Sequence, residues 1–313
     1  MNPRVSIIQH VHADRGILMG NLDAACQELD ARGADDELIL VDDSGATDLE
    51  AWVGEHFPQV RVLHKNRQEG RGKAHLMGAQ AAEGDFLLLL GAQMRLRRGA
   101  LGPMIAAMQG PNLFAVAPRC MNGATGEVEL PGPVTVEQGR PVVLPSPLAP
   151  DEQHLRPVPF AGGHAFFVRR EAFLSCAGFD DLFPAPYWDD VDLGLTAWRQ
   201  GLRILEVPQA IVERHGPENA GREMPAELDR AAIERGRLLL YWKHLDDRAA
   251  AADHLQGLWR DAADAALGDR REELLWLALA LEEVEAAGKA RSRTGSTPVR
   301  LDQALQMSNP ARI

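Results

Sequence analysis

Residues 37–45 read Glu-Leu-Ile-Leu-Val-Asp-Asp-Ser-Gly, a short apolar run that stops at two aspartates and a turn. Such a run predicts a buried strand of a parallel sheet. Similar runs lie on either side of it, at 5–8, 60–63 and 86–90, and helical patterns stand between them at 17–29 and 73–82. Strands that alternate with helices predict βαβ units, and therefore an α/β fold with a mostly parallel sheet flanked by helices.

The rest of the chain divides into regions of different character. Residues 120–160 are rich in proline and glycine, which predicts loops or edge strands. The strand and helix patterns return at 164–168, 187–200 and 203–207, and from residue 225 onward the pattern is helical only. We therefore predict a first domain at 1–224, a helical extension at 225–290 and a loosely ordered tail at 291–313.

The composition excludes several classes of protein. A net charge of −12 argues against a general nucleic-acid binder, which needs a basic face. The three cysteines lie far apart in the sequence and are expected to be buried free thiols. No signal-peptide pattern opens the chain, and no apolar run is long enough to span a membrane. We expect a cytoplasmic protein, with peripheral contact at the inner face of the membrane left open.

Ligands of an α/β sheet bind beyond the carboxyl ends of its strands, so the residues there are the candidates for a site. Asp42 and Asp43 follow the second strand, where they either accept hydrogen bonds from a nucleotide or form a turn. Residues 68–73, Gln-Glu-Gly-Arg-Gly-Lys, open the next helix. Arg71 and Lys73 either hold an anion such as a diphosphate there or are solvated charges on a flexible loop.

The strongest local signal is the segment 187–192, Tyr-Trp-Asp-Asp-Val-Asp. The apolar spacing after it places the carboxylates in the first turn of an amphipathic helix, where Asp189 and Asp190 also favour the helix dipole. Three carboxylates beside two aromatic rings are more than the dipole requires. A carboxylate next to a ring that stacks on a sugar, such as Trp188, suits a general base that deprotonates an acceptor hydroxyl.

These motifs, in this order, resemble the family 2 glycosyltransferases over about residues 4–245. The turn at 40–48 is similar to the family's VVDDGSTD-type turn, and 84–90 resemble the strand that leads into its DxD motif. The most specific part is 162–173, followed by 178–180, 189–193 and 207–208. The resemblance implies the GT-A fold and an inverting enzyme that moves a sugar from a nucleoside-diphosphate sugar to a hydroxyl acceptor, in polysaccharide or glycolipid assembly.

The resemblance also assigns residues to the nucleotide. Asp43 matches the residue that reads the nucleobase, commonly uracil, and Asp42 and His10 are expected to bind the nucleotide with it. This favours a UDP-sugar over a dTDP- or GDP-sugar. Arg71 and Lys73 then lie where the diphosphate is expected.

On the acceptor side, the resemblance assigns the catalysis to one carboxylate. Asp190 matches the catalytic base, and Asp189 replaces the glutamate that precedes that base in the family. Trp188, Gly162 and Gly163 fall where the acceptor is expected to bind, which implies a glycan or a lipid-linked glycan as the partner.

One motif departs from the family pattern. Where the family carries DxD, this chain has Gly91-Ala92-Gln93, without a carboxylate. A divalent cation prefers anionic oxygens. An Mn²⁺ or Mg²⁺ ion would therefore have two weak candidate ligands, the amide oxygen of Gln93 and the side chain of His215. His215 resembles a late histidine that contacts the metal or the diphosphate in some members.

Two hypotheses follow from these observations. An active transferase is favoured by Asp43 and Asp190, whereas a catalytically impaired, nucleotide-binding or scaffold subunit is favoured by the sequence at 91–93. A dinucleotide-binding oxidoreductase agrees poorly with the sequence, because no GxGxxG follows the first strand.

The C-terminal helices are expected to cover the sheet, bind a partner or pair two copies of the chain.

Overall fold

A computed structural model describes residues 3–11, 15–33, 35–45, 48–110, 112–161, 165–183, 188–216, 226–270, 274–293 and 297–310. The strands of these ranges are β1 (Val5–Val11), β2 (Glu37–Asp42), β3 (Arg61–His64), β4 (Phe86–Leu90), β5 (Met94–Leu96), β6 (Leu113–Asn122), β7 (Val128–Glu129), β8 (Val134–Glu137), β9 (Arg140–Val143), β10 (Arg156–Pro157), β11 (Ala165–Arg169) and β12 (Arg203–Arg214). The helices are α1 (Arg15–Arg32), α2 (Leu49–His56), α3 (Arg71–Ala81), α4 (Leu101–Ala107), α5 (Arg170–Ser175), α6 (Asp189–Arg199), α7 (Ala226–His244), α8 (Arg248–Leu267), α9 (Leu275–Glu282), α10 (Val284–Arg293) and α11 (Leu301–Met307).

A ten-stranded sheet forms the centre of the protein, and its main order is β10-β12-β6-β11-β4-β1-β2-β3. The four strands β4, β1, β2 and β3 run parallel to one another, with Ile8 of β1 opposite Ile39 on one side and Leu89 on the other. β11 is antiparallel to both β4 and β6, and β8 and β9 form a separate hairpin. The predicted α/β fold is therefore confirmed.

The strand β6 was not predicted from the sequence. It reads LFAVAPRCMN and lies inside the sheet, although proline donates no amide hydrogen bond and is usually confined to edges and bulges. The pairing register with β12 shifts from Val207 opposite Pro118 to Ile211 opposite Arg119. A bulge in the partner strand therefore lies where proline interrupts the ladder.

Alternate side chains of the sheet enter two different cores. Ile7 packs in the core that contains Leu22 of α1, whereas its neighbour Ile8 packs in the core that contains Ala74 of α3. The second core requires a close approach, because a Cβ at Gly78 would lie 2.4 Å from Cγ2 of Ile8. Gly78 thus lets α3 lie directly on β1, and this fixes the N-terminus of α3 at the carboxyl edge of the parallel strands.

The C-terminal helices pack on each other and on the sheet domain through a third apolar cluster, which includes Leu239, Leu258 and Ala280. α11 packs on α6, and its Leu301 and Ala304 are buried. Within the segment 291–313, predicted as a tail, residues 301–307 thus form a helix whose apolar side chains cover α6. The domain boundary near residue 224 stays a prediction. No helix in the described part of the chain is long and apolar enough to cross a membrane.

Candidate active site

The chain enters α6 through a strained turn at Trp188. Its φ of 70° is left-handed, which is uncommon for a bulky side chain. The indole Nε1 donates to the carbonyl of Ile233 in α7 at 2.9 Å, and the ring is so close to Gly236 that a Cβ there would lie 2.8 Å from Cδ1. The half-buried Trp188, predicted to bind acceptor, thus connects α6 to α7. Gly162 and Gly163, predicted beside it, lie outside the described residues.

Asp189 is paired with a residue from the other half of the site. Its Oδ2 accepts a hydrogen bond of 2.5 Å from Nη2 of Arg71, and both side chains are buried. Asp189 Oδ1 is also buried and has no hydrogen-bond partner among the described residues. The sequence predicted Arg71 at the diphosphate. In the structure its guanidinium compensates the charge of Asp189, so that it joins the start of α3 to the start of α6.

Asp190 lies beside this pair and is half-buried. Its Oδ1 accepts a hydrogen bond of 2.8 Å from the amide of Val191. Burial, followed by the charge of Asp189, raises the pKa of Asp190 to about 7, although Arg71 acts in the opposite direction. A carboxylate that titrates near neutral pH is suited to accept a proton from a hydroxyl group.

The predicted nucleotide residues are partly brought together. Asp43 is fully buried, and its oxygens accept hydrogen bonds from the amides of Glu69 at 2.8 Å and Gly70 at 2.7 Å. Nε2 of His10 lies 3.5 Å from Oδ2 of Asp43. Burial acts to raise the pKa of Asp43, but His10 and the two amides outweigh it and lower the pKa. Asp43 is thus a carboxylate with acceptor positions beyond the two amide bonds.

Asp42 takes the alternative role that the sequence left open. Its Oδ1 accepts from the amide of Ser44 at 2.9 Å and from the Ser44 hydroxyl at 2.5 Å, while its Oδ2 lies 3.1 Å from Nδ1 of His64. These contacts are those of a turn-forming aspartate. Asp43 rather than Asp42 therefore faces the loop that precedes α3.

Lys73 lies on the wall of an open pocket of about 530 Å³ next to this loop. Its side chain is 43% exposed, and its ammonium is 3.5 Å from Asp181 and 3.9 Å from Glu69. The pocket also contains Arg67, whose side chain is 80% exposed. The two cations keep enough exposure to receive an anionic group.

The residues predicted for a metal meet, but they do not form a metal site. The carbonyl of Gln93 accepts a hydrogen bond of 2.9 Å from the amide of His215, and Nε2 of His215 lies 3.2 Å from Oε2 of Glu213. Glu213 is also 3.5 Å from Arg97. The described residues contain no group of three or more His, Cys, Asp or Glu that could hold a metal ion. This donor set does not fit Mn²⁺ or Mg²⁺, which need several hard oxygen ligands.

A buried charge cluster holds α6 against α7. The ammonium of Lys243 lies 2.7 Å from Asp192 and 2.9 Å from Asp180, and Nε2 of His244 lies 2.8 Å from the other oxygen of Asp192. Burial acts to raise the pKa of Asp192, but Lys243 and His244 outweigh it and lower the pKa. Asp192 lies in the same first turn of α6 as the catalytic candidates, and the cluster so positions the start of α6.

The comparison with protein families agrees with this geometry. Residues 18–175 match the model described as Glycosyl transferase family 2. The chain belongs to glycosyl transferase family 2. The match contains Asp43, Arg71 and the Gly91–Gln93 loop, whereas α6 with its carboxylates lies beyond it. The family resemblance seen in the sequence is thus confirmed.

Two similar proteins illustrate the range of relatives. The chain is 26% identical over 216 residues to the N-acetylglucosaminyl-diphospho-decaprenol L-rhamnosyltransferase of Mycobacterium tuberculosis, a match that covers 61% of this chain and 70% of that protein. It is 25% identical over 191 residues to the inactive polypeptide N-acetylgalactosaminyltransferase-like protein 5 of Macaca fascicularis, which covers 55% of this chain and 42% of that protein.

A solved structure supports the GT-A fold of this family 2 member. The crystal structure of GalNAc-T7 with UDP, GalNAc and Mn²⁺ superimposes with a TM-score of 0.64 at 18% identity, over 78% of this chain and 48% of that one. The chain spans less than half the length of this structure and of the inactive relative. At this identity, the likeness to GalNAc-T7 shows the fold.

Proposed function

We propose that the protein transfers a sugar from a nucleoside-diphosphate sugar to a hydroxyl acceptor with inversion at the anomeric carbon, and that Asp190 is the general base. The observation that carries the proposal is the environment of Asp190. It stands half-buried at the start of α6, beside an Asp189–Arg71 pair, with a pKa raised to about 7. Family 2 membership supplies the class of reaction. The donor and acceptor classes rest on the family resemblance.

In this mechanism one displacement accounts for the whole transfer. Asp190 takes the proton of the acceptor hydroxyl as its oxygen forms a bond to the anomeric carbon. The bond between that carbon and the diphosphate oxygen breaks on the opposite face, and its electron pair leaves with the diphosphate. The transition state is oxocarbenium-like, as in other glycosyl transfers. Arg71 compensates part of the charge of Asp189, so that the second carboxylate repels the leaving diphosphate less.

We further propose that no metal at residues 91–93 neutralises the leaving diphosphate. GalNAc-T7 contains Mn²⁺ in its crystal structure, but Gln93, His215 and Glu213 do not supply a comparable set of anionic oxygens here. The exposed cations Lys73 and Arg67 line the pocket beside the Asp43 loop and are placed to meet a diphosphate.

A second candidate function is a scaffold or partner subunit that keeps the fold without catalysis. The loop at 91–93 favours it, because it lacks the carboxylates of DxD. The amides of Glu69 and Gly70, which cover Asp43, also favour it. One relative carries the word inactive in its name. Nucleotide binding separates a transferase from a scaffold that has lost the donor pocket.

Nucleotide binding is expected to depend on Asp43 and to be independent of metal. At about a hundred times its dissociation constant, one of UDP, GDP, CDP or dTDP should stabilise the fold by roughly 2.7 kcal/mol. Asp43→Asn, which keeps the shape of the side chain, should abolish this shift. Thermal unfolding with each nucleotide, in Mn²⁺ and in EDTA, measures it.

Asp35→Asn is the matched control, because the Asp35 side chain is 95% exposed and remote in sequence from the loop. A shift that needs Mn²⁺ would show that a metal site exists and would contradict the proposed metal-free donor pocket. If no nucleotide shifts the unfolding midpoint, the result favours the scaffold hypothesis over the transferase.

The transfer rate is expected to rise with pH through about 7, because Asp190 accepts a proton only when it is ionised. Its folded pKa lies above the ordinary 3.8, so Asp190 favours the folded state at low pH and loses that contribution as the pH rises through 7. The contribution of Asp190 to stability and the activity therefore change in opposite directions. Values of kcat/KM and unfolding free energies over the same pH range test this. A rate that stays constant down to about pH 5 would exclude Asp190 as the base.

A further inference from the structure

His75 is a buried histidine that the proposed mechanism does not use. It lies in the second turn of α3 and is 2% exposed. Its Nε2 is 3.1 Å from the carbonyl of Leu90, the last residue of β4. Because a carbonyl oxygen only accepts hydrogen bonds, Nε2 carries the ring proton and Nδ1 presents its lone pair.

That lone pair has no hydrogen-bond partner among the described residues, although Nδ1 is fully buried. Burial, and then the charges of His10 and Arg71, lower the pKa of His75 well below 6.5. The ring therefore stays neutral, and Nδ1 remains an acceptor at neutral pH. Buried acceptors are nearly always satisfied in native proteins, so an unpartnered one indicates a water or a ligand group.

His75 lines a small cavity together with Asp190 and Arg71, and the cavity has room for about one water-sized group. Phe166 and Phe179 form apolar walls. The ring of Phe179 lies 6.0 Å from that of His75. The cavity thus combines a neutral nitrogen acceptor, the proposed base and aromatic walls.

This combination suits a hydroxyl group. A phosphate oxygen at neutral pH accepts hydrogen bonds and has no proton to offer Nδ1, whereas a sugar hydroxyl donates one. Because Asp190 faces the same cavity, a hydroxyl there belongs to a ring close to the reacting centre.

We infer that Nδ1 of His75 accepts a hydrogen bond from a hydroxyl of the transferred sugar, so that the site prefers a nucleotide sugar to the bare nucleoside diphosphate. The inference rests on the proposed transferase function and adds a specificity residue to it. It assigns to α3 a contact with the donor sugar, in addition to the pair between Arg71 and Asp189.

Two variants test the two ring nitrogens of His75 one at a time. His75→Gln keeps a group where Nε2 bonds to Leu90 and removes the acceptor at Nδ1. His75→Asn keeps an amide oxygen near the position of Nδ1 and removes the bond to Leu90. Calorimetric dissociation constants are measured for the nucleoside diphosphate that stabilises the native protein and for its commercially available sugar conjugates, such as UDP-glucose, UDP-N-acetylglucosamine or GDP-mannose.

The native protein is expected to bind one conjugate more tightly than the diphosphate. His75→Gln should lower this preference about tenfold with the affinity for the diphosphate unchanged, whereas His75→Asn should keep the preference and lower the unfolding midpoint. A preference that persists in His75→Gln, or an equal loss for both ligands, would overturn the inference. Native protein that binds the diphosphate but prefers no conjugate would refute the role of His75 and leave the donor pocket standing. Binding of neither ligand would refute both proposals.

Discussion

Asp190→Asn is expected to lower the transfer rate about 10²- to 10⁴-fold while nucleotide binding and the fold remain intact. The asparagine has almost the same shape and keeps an oxygen for the Val191 amide, so the start of α6 is preserved. What it loses is the ability to take a proton from the acceptor. Since the carboxylate is held next to Asp189, removing its charge should leave the stability equal or slightly higher.

The measurement is the single-turnover rate with a saturating donor, beside the thermal shift caused by the nucleotide. Asp35→Asn provides the control for loss of one negative charge at an exposed position. If Asp190→Asn keeps more than about a tenth of the native rate, another group takes the proton. If the nucleotide shift is lost as well, Asp190 acts in binding rather than in proton transfer.

Lys243→Met is expected to destabilise the fold by about 3–5 kcal/mol, because it removes the ammonium that the buried Asp192 shares with the partly buried Asp180. Lys243 is the shared partner of Asp180 and Asp192, and its side chain is 4% exposed. The methionine fills a similar volume, so the loss reflects the charge rather than a cavity. Urea unfolding of the native and variant proteins measures the difference.

Lys289→Met is the matched control, since that lysine is 72% exposed and pairs with Glu285 on the helix surface. Its cost should stay below about 0.5 kcal/mol. Adding Asp192→Asn to Lys243→Met should restore part of the stability, because it removes one of the stranded charges. A loss of less than about 1 kcal/mol in Lys243→Met would contradict the view that this cluster fixes α6 against α7.

The sequence predicted the parts of the fold that rest on local pattern. β2 and β4 are largely continuous apolar runs, and β1 begins with the short β-branched stretch 5–8. Such runs mark buried strands without reference to the rest of the chain. β6 was missed because Pro118 breaks its pattern, and the bulge that accommodates it lies in β12, between Val207 and Ile211. The packing of α11 on α6 was not predicted for the same reason, because the surface that α11 covers belongs to a helix far away in the sequence.

The residue types of the candidate site could be predicted from the sequence, but the contacts between those residues mostly could not. Asp43 and Asp190 follow from motifs, and the structure places both at the carboxyl edge of the sheet. The pair between Arg71 and Asp189 joins residues 118 positions apart, and nothing local in either segment indicates it. His75 was missed because a lone histidine in an amphipathic helix resembles a core residue. Only its unpartnered nitrogen distinguishes it, and that is visible in three dimensions alone.

Three consecutive residues connect the two halves of the site. The amides of Glu69 and Gly70 hold Asp43, and the side chain of the next residue, Arg71, holds Asp189. A nucleotide that competes for Asp43 must alter this segment, and the segment is attached through Arg71 to Asp189, next to the proposed base. Thermodynamic coupling between two sites is reciprocal, so an acceptor that shifts Asp189 changes the affinity for the nucleotide by the same factor. A nucleotide at Asp43 and an acceptor at Asp189 would therefore be coupled through a single short loop.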